Sequence, residues 1–328
     1  MDVTRGEFLR YLAGAGAALL GPGWLTPGTG WSQGPSFTYG PHPAPEAFVW
    51  GSRDWGAKYQ VAVKNQWFNN GAESNDALVA GKIEGNAPGA GGIVALNAAS
   101  PGKFAQAMVW SYGDYSATLV QPDSPYKTLA DLKGKKIGVL VGSGSYITWL
   151  VYLEEHGLRL EDFQVVNLRG EDIPAALSGK VIDGATIWEP YVALMEHKGI
   201  GRIVASFAKS VYDQVHLQVR AETLQKNRAG LVRMVAAALD VQAFIRQNPT
   251  EAAQLISKAM GQRGLEVPWQ AFEVVVKQRV VFKPEFSDDV KSSLTKISQV
   301  ALKLGRIKQL PTFTFATDVL DEAKRLRT

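Results

Sequence analysis

The 328-residue chain contains no cysteine. That absence excludes disulfide bonds, cysteine-ligated zinc, a thiol nucleophile and a lipid anchor attached to cysteine. Histidine is also scarce, because the four histidines are scattered along the sequence at positions 42, 156, 197 and 216. Such wide spacing does not suggest a metal site. We therefore expect neither a bound metal nor a cofactor.

Charge of one sign is not concentrated in any segment. The chain carries 35 lysines and arginines against 31 aspartates and glutamates, for a net charge of +4. Basic and acidic residues alternate along the chain and form no basic tract, so nucleic acid is not an expected partner. With 46% hydrophobic residues, the chain is long enough for one large or two ordinary globular domains.

Residues 1–33 have the composition of an export signal. Arginines precede an apolar run of small residues, which proline and glycine then interrupt. The run is too short and too rich in glycine for a membrane span. "TRGEFLR" at residues 4–10 resembles a twin-arginine signal, with Gly6 in place of the second arginine. The twin-arginine and general secretory routes both stay open, and we expect a periplasmic protein.

A glycine-serine loop at residues 142–145 separates two different patterns. The apolar run at residues 136–141 predicts a buried parallel strand. The residues after the loop have helical spacing as far as Gly157, which is typical of a helix end. Backbone N–H groups at such a helix start bind anions or polar ligand groups. The alternative is a tight turn in which Ser145 caps the helix.

The loop matches neither of the two common phosphate-binding motifs. A Walker loop requires lysine followed by serine or threonine at the helix start, where this chain has Ser145 and Tyr146. A dinucleotide-binding loop requires a third glycine where Ile147 stands. A nucleotide-dependent enzyme is therefore disfavoured. The binding of a small ligand without chemistry remains.

Strands and helices alternate through the first two thirds of the chain, which predicts two α/β units with mixed sheets. The predicted strands cover residues 36–40, 60–68, 103–112, 136–141, 163–169 and 183–188. A helix is predicted over 45–58, although two glycines weaken it. The last third has helical patterns, with helix starts predicted after Asn248 and after Ser287.

Several motifs occur in order between residues 127 and 192. "KTLADLKGKKIGVLVGSGSYITWLVYLEEHGL" contains a Leu-Lys-Gly-Lys turn before a strand and then the glycine-serine loop. "DIPAALSGKVIDGATIWEPYV" adds Ala-Leu-x-x-Gly-x-x-Asp and Trp-x-Pro. Together these motifs resemble the extracytoplasmic substrate-binding proteins of ABC transporters. The resemblance is to the branch that takes up sulfonates, taurine, nitrate and thiamine-pyrimidine precursors, and it extends over residues 36–320.

The resemblance implies the type II periplasmic binding protein fold. In this α/β fold, two lobes, each a mixed sheet flanked by helices, are joined by two crossing strands and enclose ligand between them. Residues 36–123 and 212–328 would form lobe I, covered by the C-terminal helices, and residues 124–211 would form lobe II. The chain would leave lobe I near Ser124 and return near Tyr212.

The implied function is high-affinity capture of a small organic anion or zwitterion, delivered by a soluble monomer to a membrane permease. A heteroaromatic ligand similar to the thiamine pyrimidine is the alternative. An enzyme is less favoured, because a related pyrimidine-synthesising family uses a cysteine motif that this chain lacks. A transcriptional regulator would need a DNA-binding domain, and the segment before Ser36 is too short and too apolar for one.

Ligands of open α/β sheets collect at the carboxyl ends of strands, so residues just past predicted strands are the candidates. The predicted ligand-binding residues are Tyr39, His42, Asn70, Gly71, Gly89, Ala90, Gly142, Ser143, Ser145, Tyr146, Trp188 and Glu189. Trp188 either covers a ligand or belongs to the core. Glu189 either caps the next helix or faces the cleft, where its carboxylate would favour a zwitterion over a dianion.

Overall fold

The computed structural model describes residues 34–328, and the predicted export segment lies outside the described residues. Within these residues the strands form two mixed sheets. No helix of residues 34–328 is long and apolar enough to cross a membrane. The strands are β1 (Ser36–Gly40), β2 (Ala62–Asn65), β3 (Gly85–Asn86), β4 (Phe104–Gly113), β5 (Ser116–Val120), β6 (Lys136–Val139), β7 (Gln164–Asn167), β8 (Gly184–Trp188), β9 (Arg202–Ser206), β10 (Asp213–Arg220) and β11 (Val280–Val281).

Helices precede, connect and follow these strands. They are α1 (Pro45–Trp50), α2 (Gly71–Val79), α3 (Ala90–Ala99), α4 (Gly144–Glu155), α5 (Ile173–Ser178), α6 (Tyr191–His197), α7 (Thr223–Lys226), α8 (Arg228–Gln247), α9 (Pro249–Gly261), α10 (Gln270–Val274), α11 (Asp288–Lys303) and α12 (Thr317–Leu326). The first strand has its predicted bounds. The first helix is shorter than predicted, because the chain turns at Gly51 instead of continuing to residue 58.

The two sheets have the orders β11-β4-β10-β3-β1-β2 and β7-β6-β8-β5-β9. In the first sheet β1 pairs in parallel with β2 and β3, while β10 and β11 pair antiparallel with their neighbours. In the second sheet β6 pairs in parallel with β7 and β8, and β5 is antiparallel. Parallel strands place their carboxyl ends at one edge of each sheet, where α2, α3 and α4 begin.

The chain passes between the sheets twice. The first passage lies between β4 and β5, so the expected departure near Ser124 is too late in the sequence. The physical reason is that Ser116–Val120 already pairs with Gly184–Trp188 in the second sheet. This strand is buried along its whole length and lacks the alternation that would have marked it. The second passage ends directly before Asp213, where β10 begins.

The C-terminal helices do not all cover the same sheet. Helix α8 packs on α1 and β4, and α12 packs on α8, all on the side of the first sheet. Helix α11 instead lies against both α3 and α4. Lys296 and Lys303 of α11 form ion pairs with Glu155 and Glu154 of α4. The last third of the chain therefore contacts helices from both halves of the molecule.

Candidate functional site

A cavity lies where the N-termini of α2, α3 and α4 converge. Helices α2 and α3 follow strands of the first sheet, and α4 follows a strand of the second, so the cavity lies between the two sheets. The cavity itself has a volume of about 30 Å³, and the space between its lining atoms, including the part open to solvent, is about 480 Å³. Eight of the predicted residues line it: His42, Asn70, Gly71, Gly89, Gly142, Ser143, Ser145 and Trp188.

Two of these residues are helix caps. Asn70 Oδ1 accepts hydrogen bonds from the backbone N–H groups of Ala72 and Glu73, each at 3.0 Å. Ser143 Oγ accepts from the N–H of Tyr146 at 3.1 Å, and it lies 3.0 Å from Ser145 Oγ. Ser143 is therefore the residue that caps α4, where the sequence suggested Ser145. The first N–H groups of a helix have no partner within the helix, so those of Gly144 and Ser145, which precede the capped Tyr146, are the ones that can bind a ligand.

The helix starts approach so closely that only glycine fits at two positions. A Cβ atom on Gly91 of α3 would lie 2.6 Å from the carbonyl oxygen of Ser143. One on Gly144 of α4 would lie 2.4 Å from Asp213 Oδ1. Both distances are well below van der Waals contact. The closeness of the two halves at the cavity thus depends on the absence of these side chains.

Trp188 both lines the cavity and packs against neighbouring side chains. Its side chain is buried and lines the cavity, and its indole Nε1 donates to the carbonyl oxygen of Pro43 at 3.2 Å. The ring also makes an edge contact with Tyr191, with centroids 5.6 Å apart. Since Pro43 follows β1 and Trp188 ends β8, this bond connects the two halves of the molecule.

Three predicted residues lie beside the cavity without lining it. Tyr39 is fully buried in the first half and stacks on Trp110, with ring centroids 6.2 Å apart. Ala90 contributes only its backbone N–H, which donates to Asp213 Oδ1 at 3.4 Å. Tyr146 points to a separate groove formed by α3, α4 and the end of α11. Packing decides the direction of each side chain, so a position at the end of a strand, as for Tyr39, or at the start of a helix, as for Ala90 and Tyr146, did not predict which residues line the cavity.

Glu189 does not face the cavity, and this corrects the expectation that its carboxylate would contact ligand. Its side chain is 1% exposed, and Oε1 accepts from Arg279 Nη1 at 2.6 Å. Oε2 accepts from the backbone N–H of Ala193 at 3.1 Å, within the first turn of α6. Burial raises the pKa of Glu189 to about 7, and the Arg279 guanidinium opposes that rise. The second Arg279 nitrogen bonds Glu196 at 2.6 Å.

Sequence reasoning missed Asp213 and Tyr115, which both line the cavity. Both stand at the passages between the sheets, at the start of a strand or just before one. The rule applied to the sequence considers only the carboxyl ends of strands. The sequence did contain one signal for Asp213: an acidic residue stands directly before the alternating apolar residues of β10.

The charge in and around the cavity is acidic. Among its lining residues in the described chain there is no lysine or arginine. Burial raises the pKa of Asp213 to about 6 and that of Glu46, which accepts from Tyr115 Oη at 3.1 Å, to about 7. Burial also lowers the pKa of His42 to about 4, so this imidazole is neutral at pH 7. Residues 34–328 contain no cluster of side chains suited to a metal ion.

The sequence model of the NMT1-like family matches residues 40–261, well over half of the chain. The chain belongs to the NMT1-like family. The resemblance found from the motifs is thereby confirmed at the level of the family.

The relatives found by sequence comparison are named as binding proteins. A provisionally named binding protein of Brucella abortus (strain 2308) is 28% identical over 206 residues, which are 61% of this chain and 63% of that protein. A provisionally named aliphatic sulfonates-binding protein of Escherichia coli (strain K12) is 29% identical over 143 residues, 44% of this chain and 45% of that protein. The match thus spans less than two thirds of the length of either relative.

Solved structures share the fold of this NMT1-like chain over nearly its whole length. The periplasmic aliphatic sulphonate binding protein SsuA from Escherichia coli superposes with a TM-score of 0.71. The aligned part covers 88% of this chain and 91% of SsuA at 20% sequence identity. At that identity the likeness establishes the fold alone. The predicted α/β periplasmic binding protein fold is confirmed.

Proposed function

We propose that this protein is the solute-binding component of an ABC uptake transporter. It captures a small organic solute in the cavity between its two sheets and delivers it to a membrane permease. The observation that carries the proposal is the convergence of three helix N-termini, from both halves of the chain, on one cavity. Family membership and the binding proteins among its relatives support the same function.

The mechanism is closure of two lobes around the ligand. We divide the lobes at the two passages between the sheets. Lobe I then comprises residues 34–113 and 213–328, and lobe II comprises residues 116–206. The contacts of Trp188 with Pro43 and of Gly91 with Ser143 belong to the closed form. A ligand that touches both lobes stabilises this form over an open one, and the permease distinguishes loaded from empty protein by that difference.

The ligand is proposed to be a small organic acid or zwitterion. The helix starts and the hydroxyl groups of Ser143 and Ser145 favour an anionic or acceptor-rich group. The Asp213 carboxylate opposes a plain dianion and therefore favours the zwitterion. A heteroaromatic ligand is the second candidate, because the rings of His42, Tyr115 and Trp188 all line the cavity.

The proposed function has consequences for the protein's cellular location, oligomeric state and chemistry. We propose export to the periplasm, by a route that the sequence leaves open, and action as a monomer that docks on its permease. We propose that it binds its ligand without catalysing a reaction, as the names of its relatives as binding proteins support. Cell fractionation of the full chain tests the location, and recovery of uncleaved protein from the cytoplasm alone would contradict it.

A ligand screen by thermal unfolding tests the function directly. We would screen sulfonates, aminosulfonates, nitrate, pyrimidines and aromatic acids against the purified protein. A ligand at about 100 times its Kd adds about 2.7 kcal/mol to the free energy of unfolding. A quench or shift of tryptophan emission is expected on binding, because Trp188 lines the cavity. If no compound in these classes raises the melting temperature, the proposed function loses its support.

Replacing Ser143 and Ser145 together with alanine is expected to weaken ligand binding about tenfold or more, because two hydroxyl groups are lost at the helix start. Removing the Ser143 cap also costs about 1 kcal/mol of stability. Ser287→Ala is the matched control, since Ser287 caps α11 in the same way but lies outside the cavity lining. Calorimetry should find lower affinity only in the double variant. Equal affinities would mean that the two serines only form a turn.

A further inference from the structure

Asp213 is the one aspartate, glutamate, lysine or arginine that lines the cavity within the described residues. It stands at the start of β10, on the second passage between the sheets, and is 3% exposed. Its Oδ1 accepts from the N–H groups of Gln214 at 2.9 Å and Ala90 at 3.4 Å, and its Oδ2 accepts from Ser116 Oγ at 2.8 Å. These bonds hold the carboxylate in one orientation, with Gly144 of the other lobe against it.

The three hydrogen bonds that the Asp213 carboxylate accepts leave it able to accept a fourth. An ionised carboxylate has about four acceptor positions, and the protein donors occupy three of them. The cavity lining of the described chain contains no lysine or arginine that could use the fourth. A ligand donor is thus the partner that would complete the hydrogen bonding of this buried carboxylate.

A second group next to the cavity also has unused hydrogen-bonding capacity. His42 lines the cavity at 7% exposure, and its Nδ1 has no partner within the described chain. Buried polar groups are normally paired, so unpaired groups at a cavity point to a partner supplied by the ligand.

We propose that Asp213 determines specificity by accepting a hydrogen bond from a positively charged or N–H-bearing group of the ligand. This inference rests on the proposed function and deepens it. The ligand then carries an ammonium, amidine-like or aminopyrimidine nitrogen at the Asp213 side of the cavity. Solutes that offer only negative charge, such as nitrate, sulfate and unsubstituted alkanesulfonates, are rejected by the like charge.

The test compares probe pairs that differ in one group. The first pair is 2-aminoethanesulfonate and 2-hydroxyethanesulfonate, and the second is 4-amino-2-methylpyrimidine and 2,4-dimethylpyrimidine, in which a methyl group replaces the amino group. Calorimetry with the wild-type protein should show that the amine member of at least one pair binds at least about tenfold more tightly, since hydrogen bonds to a charged group are strong. In Asp213→Asn, which keeps the shape but loses the charge, this ratio should fall by about tenfold.

Asp114→Asn is the matched control. Asp114 stands at the other passage, where its carboxylate accepts from Ser206 Oγ at 2.6 Å and does not line the cavity. The amine preference should survive this substitution. Equal binding of both pair members to the wild type, or an unchanged preference in Asp213→Asn, overturns the inference while the proposed function stands. If no probe of either pair binds the wild type, the proposed ligand class and the inference fail together.

A pH titration of the wild type gives a second measurement in case Asp213→Asn does not fold. Burial raises the pKa of Asp213 to about 6, so its charge is lost as the pH falls through that value. The preference for 2-aminoethanesulfonate over 2-hydroxyethanesulfonate should therefore decline between about pH 7.5 and about pH 5, since the ammonium group keeps its charge over this range. Of the other titratable groups nearby, His42 and Tyr115 stay neutral over this range. Glu46, with a pKa of about 7, also titrates, and Glu46→Gln separates its contribution. A preference that is independent of pH in both proteins overturns the inference.

Discussion

Replacing Arg279 with methionine is expected to lower the free energy of unfolding by about 3 to 5 kcal/mol. Arg279 Nη1 contacts Glu189 Oε1 and its Nη2 contacts Glu196 Oε2, each at 2.6 Å. The Glu189 side chain is 1% exposed, so the substitution leaves a buried carboxylate without its positive partner. Equilibrium unfolding in urea, followed by tryptophan fluorescence, measures the loss.

The size of this effect depends on the unpaired charge, and two further variants test that cause. Adding Glu189→Gln to Arg279→Met removes the charge and should restore a substantial part of the stability. Arg169→Met is the matched control, because Arg169 is an exposed arginine whose ion pairs with Glu171 and Asp172 are screened by water. A small loss in Arg279→Met, or a double variant less stable than the single, would contradict this account.

The same ion pairs have a consequence for ligand binding. Arg279 immediately precedes β11, which pairs with β4 of the first sheet, and its backbone oxygen accepts from the N–H of Asp114. Glu189 directly follows β8 of the second sheet and Glu196 lies in α6, so the guanidinium joins the two proposed lobes. Its loss should therefore weaken the closed form as well as the fold, and the affinity for a ligand found by screening should fall with it.

Replacing Gly91 with alanine is expected to reduce ligand affinity about 5- to 150-fold. The added Cβ would lie 2.6 Å from the Ser143 carbonyl oxygen and 3.1 Å from that of Gly142, and neither backbone group can move aside locally. Overpacking of this kind costs about 1 to 3 kcal/mol. Opening of the lobes relieves the strain, so the cost falls on the closed, binding form. Calorimetry measures the affinity, and small-angle scattering of the ligand-bound protein should show a larger radius of gyration than in the wild type.

Gly261→Ala provides the control for a glycine-to-alanine change in a helix. A Cβ on Gly261 would meet only Glu266 Cγ, at the ordinary distance of 3.8 Å. This variant should bind ligand like the wild type. Because opening relieves the strain in Gly91→Ala, its free energy of unfolding without ligand should change less than its affinity. Unaltered affinity in Gly91→Ala would show that the closed arrangement of the lobes is not the one that binds.

Local features of this protein were predictable from sequence because neighbouring residues determine them. The apolar run before Gly142 and the helical spacing after it define a strand, a turn and a helix without reference to the rest of the chain. The same holds for Asn70, a good helix cap followed by a helix. Since carboxyl ends of strands gather at one edge, many of these residues were expected to meet, and the cavity lining contains them.

The direction of individual side chains was not predictable in this way. Trp188 and Glu189 are adjacent, yet one lines the cavity and the other turns to Arg279, a residue 90 positions further along the chain. Tyr146 follows the glycine-serine loop but is buried away from the cavity, and the Arg306 guanidinium lies 5.9 Å from the centre of its ring. Contacts between distant segments decide these directions, and spacing in the sequence contains no information on them.

The sequence by itself determined the family, the alternation of strands and helices and the position of the glycine-serine loop, because apolar spacing and turn residues are local properties. Only the tertiary structure revealed that Asp213 faces the cavity, that Gly91 and Gly144 bring the two halves together, and that the first passage precedes Ser116. Strand pairing and the convergence of helix starts create these relations between residues far apart in sequence. The charge that lines the cavity is therefore a property of the fold, and no single motif in the sequence specifies it.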